Sequence, residues 1–85
     1  MATDALARLT LFSRRDCHLC DEMAAELAAL KATHRFDLDV VDVDANLESA
    51  RRYGDRVPVL THGPRELCHA RLDRAAVTAF LTEFR

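Results

Sequence analysis

Ser13-Arg14-Arg15-Asp16-Cys17-His18-Leu19-Cys20 joins two unlike stretches of chain. Before it, Leu9 to Phe12 is a short apolar run that reads as a strand. After it, Leu19, Met23, Leu27 and Leu30 recur at the spacing of one helical face. Two cysteines at i and i+3 on a strand-to-helix turn can close on each other as a disulfide or stand open as a thiol pair. Cys17 falls at or near the helix start, where free backbone N–H groups and the positive end of the helix dipole favour thiolate over thiol. A free cysteine titrates at about 8.5, and this placement lowers that value.

Working outward, Leu6, Leu9, Leu11 and Phe12 predict a first strand buried on both faces, preceded by a loose end over residues 1–5. Ala24, Ala25, Ala28 and Ala29 give the first helix a small-residue surface able to pack closely on a sheet, and it is predicted to end near Thr33-His34. Phe36-Asp37-Leu38-Asp39-Val40 alternates with the strand period, and Val41 and Val43 extend it toward Asp44. Asn46 reads as the N-cap of a short helix through Tyr53, closed by Gly54 in the C′ position. Val57-Pro58-Val59-Leu60 opens a third strand, with the proline at its start because it has no N–H to donate. His62-Gly63-Pro64-Arg65 is a turn, and Glu66 to Ala70 returns as a fourth strand. Asp73 caps a last helix whose apolar face is Val77, Phe80, Leu81 and Phe84, with Ala76 filling in.

The order β-α-β-α-β-β-α describes an α/β chain. A right-handed crossover makes the first two strands parallel neighbours, and the closing hairpin is antiparallel. The result is a mixed four-stranded sheet with helices on both faces. With 85 residues there is room for one domain, spanning residues 1–85. A net charge of −2 with both signs interspersed argues against a nucleic-acid partner held through phosphates. No apolar run reaches the length of a membrane span. Met1-Ala2-Thr3-Asp4 lacks the basic and apolar regions of a signal peptide, so the expectation is a soluble cytoplasmic protein. Three cysteines are too few for a secreted disulfide scaffold. A Cys17–Cys20 bridge closes too small a loop to act as a staple, so chemistry explains the pair better than stability.

This element order, with Cys-x-x-Cys after the first strand and Val57-Pro58 opening the third, resembles the thioredoxin fold in its minimal glutaredoxin form, from about Leu9 to Phe84. It looks most like small bacterial glutaredoxin-like proteins whose motif lacks proline between the cysteines. The resemblance implies that Cys17 is the exposed attacking thiol and Cys20 the buried resolving one. It implies that Val57-Pro58 is a cis-proline turn facing the cysteines, where the backbone before the proline pairs with an extended substrate segment. Glutaredoxins usually read Cys-Pro-Tyr-Cys, whereas this chain reads Cys17-His18-Leu19-Cys20. Their Gly-Gly pair, where backbone approaches glutathione, falls here on Cys68-His69, with Arg71 near the place of the acidic residue. Fold and dithiol chemistry carry over. Glutathione remains a possible co-substrate with a degraded binding motif, and no bound cofactor is expected.

Several residues tune or extend this reading. His18, as a cation beside Cys17, stabilises the reduced form; alternatively it is an exposed residue covering the helix start. Arg14 and Arg15 favour the Cys17 anion, while Asp16, Asp21 and Glu22 oppose it. Arg51, Arg52 and Arg56 form a basic cluster, with Arg56 just before Val57-Pro58, open to a carboxylate or explained as a solvated helix face. Cys68 and His69 point to opposite sides of the fourth strand, Cys68 as a buried structural cysteine. A zinc site with Cys17 and Cys20 lacks a second close ligand pair, so no metal is expected. Alternation explains Asp37 and Asp39 as solvent-facing. The leading expectation is a thiol–disulfide oxidoreductase, a monomer acting on protein or low-molecular-weight disulfides. The alternative is a non-catalytic binding module using the cis-proline groove and the arginines, its cysteines vestigial or metal-loaded.

Overall fold

The computed structural model describes residues 6–84, and the loose end expected over residues 1–5 lies outside them. In chain order the elements are β1 (Ala7–Ser13), α1 (His18–Leu30), β2 (Phe36–Asp42), a short 3-10 turn (Val43–Ala45), α2 (Leu47–Tyr53), β3 (Val59–His62), β4 (Arg65–His69) and α3 (Arg74–Glu83). The sheet order is β2-β1-β3-β4. β1 runs parallel to β2, from Ala7 beside Phe36 to Ser13 beside Asp42. β3 is antiparallel to β1, with Phe12 beside Val59, and β4 is antiparallel to β3. The expected α/β order and the mixed four-stranded sheet are both present.

One face of the sheet carries the core. Ala7, Leu9 and Leu11 of β1, Leu60 of β3 and Cys68 of β4 meet Met23, Leu27 and Leu30 of α1 and Val77 and Phe80 of α3. Among the described residues, the short α2 is the helix on the opposite face, where Tyr53 stacks on Phe12 at 4.1 Å between ring centroids. β1 is therefore not buried on both faces, as its apolar run suggested. Ala7, Leu9 and Leu11 are buried, Arg8 is exposed, and Thr10 and Phe12 are half-buried. The reason is unequal cover: two helices lie on one face and two turns of helix on the other.

The alanines of α1 correct another expectation. Ala24 packs against the core, but Ala25, Ala28 and Ala29 are exposed. They serve helix propensity rather than close packing. The α-helix also stops at Leu30, three residues short of Thr33, where the Ala32 and Thr33 N–H groups turn back to the Ala29 and Leu30 carbonyls, each at 3.1 Å, three residues earlier.

β2 leaves the sheet at Asp42 instead of running to Asp44, because the Asp42 carboxylate accepts the Asp44 N–H at 2.9 Å and starts the 3-10 turn. Asn46 caps α2, accepting from the Ser49 N–H at 3.1 Å, and Asp73 caps α3, accepting from the Ala76 N–H at 3.0 Å. Gly54 is helical (φ −55°, ψ −33°) rather than left-handed. Glycine is needed there for closeness: a Cβ would run into the Ala50 carbonyl and stand 3.2 Å from Arg14 Nη2. The hairpin turn is Gly63-Pro64, with Gly63 at φ +56° and His62 paired to Arg65. Pro58 precedes β3 rather than opening it, and β4 is Arg65–His69, so Ala70 lies beyond it.

Candidate redox site

The site forms at the end of the sheet where β1 runs out and β3 begins. Asp16 takes a left-handed conformation (φ +53°), which Asp tolerates better than most residues, and so turns the chain into α1. Cys17 is the N-cap: it is extended (φ −116°, ψ 104°), and its carbonyl accepts the Asp21 N–H at 3.1 Å. Its Sγ accepts the Cys20 backbone N–H at 3.2 Å. A sulfur thus occupies the place where Ser or Asp usually satisfies a helix's orphan amide. The same amide and dipole stabilise negative charge on that sulfur.

Cys17 is half-buried, and Cys20 is only 2% exposed. The two are disulfide-bonded, with Cα atoms 5.2 Å apart. Val57–Pro58 is a cis peptide bond. Val57 is half-buried and Pro58 buried, and the register that sets Phe12 beside Val59 brings Pro58 toward Ser13 and the cysteine turn. The Pro58 carbonyl accepts the Ala70 N–H at 2.8 Å, and the Arg71 N–H turns back to the His69 carbonyl at 2.7 Å. Ala70 pays conformationally for that tight turn with φ +65°, a conformation costing an L-residue about 1–2 kcal/mol.

The charged residues fall into place unevenly. Arg14 is held by Asp44 and the Gly54 carbonyl. It grips Asp44 through Nε at 2.9 Å and Nη2 at 3.1 Å, and donates from Nη1 to the Gly54 carbonyl at 3.2 Å. That pairing raises the guanidinium pKa and holds the Asp44 carboxyl below its ordinary value. Arg15 is exposed and makes no hydrogen bond or ion pair among the described residues. His18 begins α1 and turns its Nε2 to Glu22 Oε2 at 2.7 Å, with its side chain 85% exposed. Arg56 is committed as well: Nη1 pairs with Glu66 Oε1, and Nη2 donates to the Arg52 carbonyl at 3.2 Å.

The aspartates of β2 are accounted for by neighbours. Arg8 pairs with Asp39 at 3.1 Å and approaches Asp37 at 3.9 Å across the parallel strands. No group of three or more His, Cys, Asp or Glu is arranged to hold a metal among the described residues. Cys68 is buried and His69 exposed, on opposite faces as the strand period predicts. Burial pushes the Cys68 thiol up from its ordinary value, and the Asp73 backbone N–H only partly offsets this. A shallow groove of about 560 Å³ runs past β4 into the start of α3, lined by His69, Arg71, Asp73 and Arg74 among others.

Residues 8–82 match the family described as Glutaredoxin-like domain (DUF836). This chain belongs to the glutaredoxin-like family. Two solved structures share the glutaredoxin-like fold. One is the solution structure of protein Ne2328 from Nitrosomonas europaea: 39% identical, TM-score 0.81, covering 95% of this chain and 99% of that one. Another is the X-ray structure of target protein XcR50 from X. campestris: 35% identical, TM-score 0.67, covering 91% of this chain and 99% of that one. None of the curated proteins matches the chain. A glutaredoxin-like domain with its cysteine pair at disulfide distance supports a thiol-redox role in general terms.

Three features of the site were not found in the sequence: the Arg14–Asp44 brace, the Arg56–Glu66–His69 cluster and the strained Ala70. Each depends on residues 3 to 40 positions apart meeting only in the folded sheet. No helix among the described residues is long and apolar enough to cross a membrane.

Proposed function

We propose that this glutaredoxin-like protein is a thiol–disulfide oxidoreductase that acts through Cys17 and Cys20. The observation that carries the reading is the N-cap placement of Cys17, with its sulfur on the Cys20 amide at the end of the sheet where the Val57–Pro58 turn enters β3. In the reduced protein the Cys17 thiolate attacks one sulfur of a substrate disulfide. That S–S bond breaks, one substrate thiolate leaves, and a mixed disulfide forms. Cys20 then loses its proton and attacks Cys17 Sγ, which releases the second substrate thiolate and closes the Cys17–Cys20 bond. Two electrons pass from the dithiol to the substrate, and the two leaving thiolates take up the two protons. The reverse sequence passes a disulfide onward.

The burial difference supports the division of labour. An incoming disulfide reaches half-buried Cys17, while Cys20 at 2% exposure meets only a sulfur already attached to Cys17. Val57 would pair its backbone with an extended substrate segment, with Arg56 holding the base of that segment's groove. Arg15 and His18 would supply positive charge near the thiolate. The substrates would be protein or low-molecular-weight disulfides. Glutathione would serve as a co-substrate rather than a resident cofactor, and a reducing cytoplasmic setting would keep the dithiol open.

The test is a pair of substitutions. Cys17→Ser should reduce exchange with an insulin disulfide to the uncatalysed background, and Cys20→Ser should accumulate a mixed disulfide on Cys17 visible by mass. Full disulfide-reducing activity in the Cys17→Ser protein refutes the assignment.

A further inference from the structure

Beyond the cysteines, a polar cluster of Arg56, Glu66 and His69 flanks the Val57–Pro58 turn. Arg56 immediately precedes Val57. Its guanidinium pairs with Glu66 on β4, donates to the Arg52 carbonyl at the end of α2, and lies 5.8 Å from the Tyr53 ring centroid. The second oxygen of Glu66 meets His69 Nδ1 at 2.9 Å. His69 is followed by Ala70, whose N–H donates to the Pro58 carbonyl at 2.8 Å. One carboxylate thus ties together the segment before the turn and the end of the strand that holds the turn from behind.

The sheet supplies an unusual reason for this meeting. Residues three apart on a regular strand point to opposite faces. Between Leu60 and Thr61 the β3–β4 register shifts, so that Thr61 pairs with Glu66 and Leu60 with Cys68. Leu67 is the extra residue of that bulge, and it returns Glu66 and His69 to one face. Bulges re-aim side chains in this way. Here the re-aimed pair faces the arginine beside the turn.

We propose that Glu66 is a positioning residue: held between Arg56 and His69, it fixes the Val57–Pro58 wall and sets how tightly a disulfide-bearing segment is held. This rests on the redox reading above. Glu66 touches neither sulfur, so it acts on binding and leaves the thiolate chemistry of Cys17 alone. Losing these two part-exposed charge-assisted hydrogen bonds together corresponds to an effect of up to about tenfold.

Two readouts test it separately. In Glu66→Ala the Ala70 amide should exchange with deuterium about tenfold faster, while the Cys20 amide, which donates to Cys17 Sγ, keeps its rate. With a synthetic peptide closed by one intrachain disulfide, KM should rise about tenfold, with kcat and the pH midpoint of Cys17 alkylation unchanged. Glu66→Gln keeps an acceptor for Arg56 and should fall between, and it carries the same comparison if Glu66→Ala does not fold. An Ala70 amide that keeps its wild-type rate overturns the proposal, as does acceleration of the Ala70 and Cys20 amides together. Wild-type protein that exchanges no disulfide overturns the substrate half and the redox reading beneath it. An Ala70 amide that still responds to Glu66→Ala identifies that case.

Discussion

Cys17, on the turn that follows β1, and Cys68, on β4, each have a backbone N–H directed at the sulfur. The Cys20 amide donates to Cys17 at the start of α1, and the Asp73 amide approaches Cys68 at the start of α3. Their surroundings differ. Cys17 is half-buried on a turn at the sheet's end, whereas Cys68 is a core residue beneath α3. For Cys68 burial outweighs the amide, and the thiol is pushed up. An amide donor at a helix start therefore does not make a nucleophile by itself. It does so where water and an incoming sulfur also reach the thiolate.

The sharpest way to break this contrast is by substitution. Cys17→Ser should lose essentially all exchange, while Cys68→Ala should change kcat/KM by less than about twofold. Comparable losses from both substitutions, in a disulfide-reduction assay, would remove the distinction. Next in size is labelling: at pH 7 in reduced protein, iodoacetamide should modify Cys17 at least about a hundredfold faster than Cys68. Peptide mapping after timed quenching reads this directly.

pH sharpens the comparison from the stability side. Burial raises the Cys68 thiol above its ordinary value, so the unfolded chain loses that proton first. The stability this contributes is complete below the ordinary cysteine value and is lost as pH rises through the raised folded value. Alkaline urea titrations of Cys68→Ala should show a shallower decline than wild type. Glu66 behaves oppositely, because the hydrogen bond from Arg56, aided by His69, holds its carboxyl below the ordinary 4.5. Its contribution is present above 4.5 and is lost as pH falls through the depressed folded value, so Glu66→Gln should flatten the acid limb. The smallest effect is at Ala70. Relief of its positive φ in Ala70→Gly should raise stability by about 0.5–1 kcal/mol, after the greater chain entropy of glycine is counted. A destabilised Ala70→Gly protein would mean that the methyl group packs usefully there.

Much of the fold was legible because its signals are local. Asn46 and Asp73 cap the helices they precede, and the helical recurrence of Met23, Leu27 and Leu30 marks the buried face of α1, which Cys20 rather than Leu19 completes. Cys17-x-x-Cys20 and Val57-Pro58 also announced themselves through spacing and element order. What escaped notice was set by tertiary contacts. The exposed alanines of α1 are indistinguishable in sequence from packing alanines. Gly54 looked like a left-handed cap because nothing local reveals that Arg14 closes on it. The pairing of Arg14 with Asp44, thirty residues on, has no local signal. Glu66 and His69 share a face only because of a bulge, which strand alternation cannot foresee.

The measurement closest to the centre is the rate of Cys17 alkylation against pH in fully reduced protein, followed by mass. With its sulfur on the Cys20 amide at the head of α1, Cys17 should show a midpoint at least about one unit below the free-cysteine value of about 8.5. A midpoint at or above that value, in protein that still folds, would contradict the assignment of Cys17 as the attacking thiolate.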